Sequence, residues 1–165
     1  MDLTKLSIGD KVMAGSGIAL FIFSFFPWYK VDFGGPFGGG TVTQSGWHFF
    51  FTGIIPTLLA LALVGYVVVT KVLDGIELPE LPVAWPLVVL GTAGLAALLV
   101  IIRLLAGGDD GGTGVLDRSF GIFLAVLGAI GLAVGAFLKF QEDGGELPTK
   151  GGTSSGSSGG PASPF

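Results

Sequence analysis

An all-α membrane protein, a bundle of four transmembrane helices, is what this sequence predicts, on three observations. Half of the 165 residues are hydrophobic and only 12% are charged, against about 25% charged in a soluble domain. Four apolar segments, at about 12–29, 49–70, 83–106 and 119–140, stand out along the chain. Each approaches the ~20 residues that cross a ~30 Å hydrocarbon core as a helix. Runs such as LVVLGTAGLAALLVII do not alternate apolar and polar residues, so a closed barrel, the other way to pair every backbone group in lipid, is rejected. A net charge of −4 offers no concentrated basic surface for nucleic acid. The chain has no cysteine, which excludes disulfides, thiolate metal sites and cysteine catalysis.

The first segment follows Lys5 and Lys11, as a secretory signal would, but ends in the bulky SFFPWYK. A signal peptidase site needs small residues, so an uncleaved first span is expected. The loop after it, about 30–48, carries two β-like runs, YKVDF and TVTQS, on either side of GGPFGGG. It is read as either a small β-hairpin capping the outer face or an irregular loop. The second span contains Pro56, which removes a backbone donor and is expected to kink the helix. The loop KVLDGIELPELP is short and acidic, and its prolines favour an extended chain. The third span leads into the Gly/Asp-rich GGDDGGTGVLDR. Residues 141–165 are rich in Gly, Ser and Pro, cannot bury a core and are expected to form a disordered tail. The four spans, residues 1–140 with their loops, make one domain.

Orientation is read from Lys and Arg near the span ends. Lys5, Lys11, Lys71, Lys139 and Lys150 fall on one side, and Lys30, Arg103 and Arg118 on the other. The excess puts both termini in the cytoplasm and the first loop outside.

Lipid tails are as apolar as leucine, so membrane helices associate through close contact of small residues. In the fourth span Gly121, Gly128 and Gly135 recur every seven residues, and Gly131 and Gly135 form a GxxxG pair. This seam serves packing within the bundle or, in a sharper form, a homodimer.

Ionisable residues inside a membrane point to transport, proton relay or catalysis, and the expected span interiors hold essentially none. Arg103 falls near the outer end of the third span, where it is expected to snorkel or to pair within an outer polar cluster of Arg103, Asp109, Asp110, Asp117 and Arg118. Lys139 has a similar place at the inner end of the fourth. His48 is the only histidine and has no second ligand or nucleophile beside it. GGPFGGGT lacks the lysine of a phosphate loop. No catalytic, cofactor or metal residue is assigned, and a catalytic return would need His48, Asp32 and Asp117 to meet.

Of 19 aromatic residues, 12 lie between Phe21 and Phe51. Trp28, Tyr29, Trp47 and Phe49 are expected in an aromatic belt at the membrane–water boundary. The alternative is a hydrophobic outer groove for a lipid or partner.

FPWYKVD, SGWHFF, Arg103 with its Gly/Asp-rich loop, and RSFGIFLAVLGAIGLAVGAFL together resemble a group of small four-span membrane proteins of actinobacteria. The resemblance runs from about Lys11 to Phe140, with the PWY and SGW pair as its best marker. The loop after Arg103 departs from the more proline-rich version of the group. The resemblance implies the four-span architecture and a plasma-membrane location, and carries no activity. The expected role is non-enzymatic, structural or accessory in the cell envelope, with the lipid bilayer and a membrane-protein partner or second copy as partners. A small transporter or channel subunit, or a binder of an apolar ligand at the aromatic end, is the alternative, with Thr52, Thr57 and Thr92 facing inward near Pro56.

Overall fold

The computed structural model describes residues 3–73, 79, 80, 82–107 and 117–144. Four helices dominate it: α1 (Ile8–Ser24), α2 (Ile55–Lys71), α3 (Trp85–Ala106) and α4 (Phe120–Glu142). They form a ring in which α1 contacts α2 and α4, and α3 contacts the same two neighbours. The most extensive contact is between α1 and α4. At one end of the bundle sits a small antiparallel sheet of β1 (Pro27–Phe33), β2 (Gly40–Ser45) and β3 (Asp117–Arg118), in the order β2-β1-β3.

Three helical stretches are long and apolar enough to cross a bilayer: Phe50–Lys71, Trp85–Ala106 and Phe120–Glu142. α1 differs from its expected span at 12–29. It begins four residues earlier because Ser7 caps it. The Ser7 hydroxyl accepts from the Asp10 amide (3.1 Å) and the Asp10 carboxylate accepts from the Ser7 amide (3.2 Å), a reciprocal capping box. It ends at Ser24 because Pro27 cannot continue a helix and biases its predecessor to extended backbone. Pro27, Trp28 and Tyr29 belong to β1 instead. The result is a 17-residue helix, about 25 Å long at 1.5 Å per residue.

The chain enters α2 through a single wide turn, Phe50–Ile54. The Ile54 amide bonds the Phe49 carbonyl across five residues (2.9 Å). Pro56 therefore falls in the first turn of α2, where its missing N–H costs little, and the helical irregularity expected at Pro56 takes the form of this wide turn directly before it. α4 continues to Glu142, two residues into the stretch expected as tail. The rest of that tail, residues 145–165, lies outside the described residues, as do residues 74–78 and 108–116.

The first loop is the β-hairpin of the two alternatives. Val31 pairs with Val42 and Asp32 with Thr41, and the Thr41 hydroxyl donates to Asp32 Oδ1 (2.6 Å). Gly38, at φ +105°, takes a conformation in the connecting turn that side-chain-bearing residues rarely adopt. β3, which pairs Arg118 with Tyr29 and Asp117 with Lys30, is an addition from a distant loop.

The heptad glycines of α4 face α1. A Cβ on Gly135 would lie 2.5 Å from the Met13 amide nitrogen, one on Gly128 3.2 Å from that of Leu20, and one on Gly121 2.5 Å from the Pro27 carbonyl oxygen. The step of seven from Gly135 to Gly128 is thus matched by a step of seven back along α1, from Met13 to Leu20, and the next step, to Gly121, by Pro27 just beyond the end of α1. That is the 3.5-residue repeat of two helices wrapping each other with a left-handed twist. Gly121, Gly128 and Gly135 are all buried, so this seam is spent inside the bundle.

Candidate functional site

The sheet end of the bundle is built around the aromatics of the PWY and SGW motifs. Trp28 and Tyr29 are fully buried and Phe49 is 6% exposed, so these three do not form the expected belt. The reason is that a strand with a bulge at its start turns the Trp28 ring down onto the helix ends. Its indole N–H donates to the Phe23 carbonyl (2.9 Å), which lies in the last turn of α1 and also accepts from the Phe26 amide (3.2 Å). Gly46 lies against the same ring, where a Cβ would come within 2.8 Å of it. This contact physically links the two motifs.

Tyr29 and Arg118 do the same for α3. The Tyr29 hydroxyl donates to the Arg103 carbonyl (2.7 Å) and Arg118 Nε donates to the Leu104 carbonyl (3.0 Å). The Ser119 amide, just before α4, donates to the Trp28 carbonyl (2.8 Å). One short sheet therefore caps two helices and seats a third.

Arg103 is 7% exposed and does not snorkel to the surface as expected. Its guanidinium carbon sits 3.5 Å from the centre of the Phe49 ring and 4.9 Å from that of Tyr29, a cation against two aromatic faces. It also lies in the last turn of α3, where the helix dipole favours a positive charge. Of the expected outer cluster, Arg103 and Arg118 converge on this helix end. Asp117 is placed opposite Lys30 on the sheet, and Asp109 and Asp110 lie outside the described residues. Trp47 is half-buried with its ring 5.4 Å from that of Phe25. Its indole N–H is buried and has no acceptor among the described residues. Phe25, Phe26, Phe37, Phe50, Phe51 and Phe120 are exposed at this end.

His48, Asp32 and Asp117 are not gathered into one constellation: His48 is exposed, Asp32 accepts from Thr41, and Asp117 lies opposite Lys30. Among the described residues, no group of three His, Asp or Glu side chains is placed to hold a metal ion. The hydroxyls of Thr57 and Thr92 donate to the carbonyls four residues back in their own helices, Gly53 and Val88 (both 2.7 Å).

The opposite end of the bundle holds a second cluster, which the sequence reading missed. Lys139 Nζ lies 2.9 Å from Asp10 Oδ1, with both side chains essentially buried. It also lies 3.5 Å from Asp143 Oδ2, whose side chain is 37% exposed. The Tyr66 ring centre is 5.9 Å from Lys139 Nζ, and Tyr66 in turn stacks on Trp85 at 5.7 Å. The Gly9 amide donates to Glu142 Oε1 (3.3 Å), placing a carboxylate at the positive end of α1. Backbones meet here too, since a Cβ on Gly9 would come within 2.5 Å of the Lys139 amide nitrogen. The signal was in the sequence. Ser7-Ile8-Gly9-Asp10 is a capping box, and it moves the helix start from Val12 to Ile8. With that start, Asp10 shares a face with Met13, Gly17 and Leu20, all buried.

No protein-family model, curated protein or solved structure matches this chain.

Proposed function

We propose that this chain is a non-enzymatic, four-span integral membrane protein of the plasma membrane, with both termini cytoplasmic and the sheet outside. In this reading α1 is the fourth span, completing the three whose length and composition suffice alone. Its role is structural or accessory: it holds a small rigid platform at the outer face for a membrane-protein partner.

The observation that carries this reading is the attachment of the sheet. Trp28, Tyr29 and Arg118 bond the ends of α1 and α3, while Gly40, Thr41, Val42 and Thr43 of β2 are all exposed. Such an arrangement is rigid below and open above. A photoreactive amino acid at Val42 or Phe37, irradiated in intact cells, should give a discrete crosslinked species that also co-purifies in mild detergent. The same probe at Leu98, on the lipid-facing surface in this reading, should not. Crosslinks absent from both cap positions, with no co-purifying protein, would overturn the proposal.

A second reading, a binder of an apolar solute at the aromatic end, is favoured by the exposed Phe25, Phe26, Phe50 and Phe51 and by the unsatisfied Trp47 N–H. Its transporter or channel form is less well supported, because the inward hydroxyls of Thr57 and Thr92 are committed to their own helices.

A further inference from the structure

We infer that the Asp10–Lys139 pair is a lock that keeps α1 in the membrane, so that the seating of this helix is conditional on α4. The inference rests on the proposed four-span reading and adds to it a conformational device. α1 is 17 residues long, at the short end of what crosses a bilayer, and carries Asp10 and Lys11 within its first turn. Its largest contact is with α4. On that contact the carboxylate of Asp10 is fully buried. A carboxylate keeps its charge away from water only when it is paired.

The two partners are not equivalent. Lys139 has a second carboxylate at hand, Asp143, which reaches solvent. Asp10 is paired with Lys139, and its other bond is to the amide of Ser7. Neutralising Lys139 therefore strands Asp10, whereas neutralising Asp10 leaves Lys139 with Asp143. When Asp10 is stranded, it keeps its charge only by reaching water, for which α1 must slide out or lift away from α4. The glycine seam that accompanies the pair makes this a discrete change. Backbones in contact at Gly9, Gly128 and Gly135 fit in one register and not in intermediate ones.

The test uses the full cysteine-free chain in native membranes. A single cysteine replaces Ile18, which lies on the outer face of α1 (48% exposed), and a water-soluble thiol reagent reports whether it leaves the hydrocarbon. A matching cysteine at Leu98, on the outer face of α3 (53% exposed), reports on the bundle as a whole. With the native pair, both should be protected; labelling of Ile18→Cys there would instead overturn the four-span reading, and this inference with it. With Lys139→Leu, labelling of Ile18→Cys should rise roughly tenfold or more, the population change expected when a buried charge loses its partner, while Leu98→Cys stays protected. Asp10→Asn should leave Ile18→Cys protected, and Asp10→Leu with Lys139→Leu should restore protection. The lock is overturned if Ile18→Cys stays protected in Lys139→Leu. It is equally overturned if Leu98→Cys becomes labelled alongside it, or if the double replacement fails to restore protection.

Discussion

Alanine at Gly135 is the sharpest test of how this bundle is held together. A Cβ there would lie 2.5 Å from the Met13 amide nitrogen and 2.7 Å from its Cα. Carbon-sized atoms rest at roughly 3.5–4.0 Å, so one added methyl demands a separation of about 1 Å between two backbones, neither of which has a flexible end to move. Overpacking of this kind costs about 1–3 kcal/mol. Replacing glycine by alanine inside a helix returns at most about 1 kcal/mol. The net expectation for Gly135→Ala is a loss of about 1–2 kcal/mol. At Gly128 the nearest atom is 3.2 Å away, so a shift of a few tenths of an ångström suffices, and Gly128→Ala should be close to neutral. At Gly65 and Gly91 a Cβ meets nothing within 4 Å, and alanine there should be neutral or stabilising by up to about 1 kcal/mol. The measurement is reversible unfolding in mixed detergent micelles, followed by far-ultraviolet circular dichroism and tryptophan fluorescence. The reasoning fails if Gly135→Ala matches the native protein, or if Gly65→Ala and Gly91→Ala lose as much stability as Gly135→Ala. Either result would mean that the α1–α4 contact is not the close backbone seam described.

Other outcomes follow from the caps. Tyr29→Phe removes the hydroxyl bonded to the Arg103 carbonyl and should cost about 1–3 kcal/mol in the same unfolding assay, because a buried carbonyl loses its partner. Phe49→Leu takes away the ring beneath the Arg103 guanidinium; a further loss of about 0.5–2 kcal/mol beyond simple side-chain truncation is expected, measured against the same change in an Arg103→Met background. For topology, Gly39→Cys in the exposed hairpin turn and Leu73→Cys after α2 should show opposite accessibility in intact cells. An impermeant reagent should label Gly39→Cys alone if the sheet faces outward, and Leu73→Cys alone would invert the orientation.

Much of the fold is legible in the sequence because it depends on local and additive properties. The three long apolar helices follow from runs of apolar residues, and the seven-residue spacing of Gly121, Gly128 and Gly135 reveals a seam before any partner is known. The motif pair PWY and SGW could be found in the same way, but not what it does. Its aromatics have an apolar body and a polar tip, and that character fits a membrane boundary and a buried helix cap equally well. The choice depends on whether carbonyls at the ends of α1 and α3 come within reach, which is a fact of assembly. The start of α1 was a different kind of omission. Ser7 and Asp10 announced a helix start locally, and the apolar run beginning at Val12 masked it.

By itself, the sequence determined that this chain is helical and apolar, with four candidate spans, and that a glycine face of the fourth would be packed against something. Tertiary structure decided which helix fills that face, that a strand from a distant loop joins the hairpin, and that Trp28, Tyr29 and Arg103 turn inward. It also decided that Asp10 and Lys139, 129 positions apart, meet as a buried pair. The physical reason is that hydropathy is a sum over neighbours in the chain. A buried charge or an unpaired carbonyl is settled only by the group that arrives opposite it.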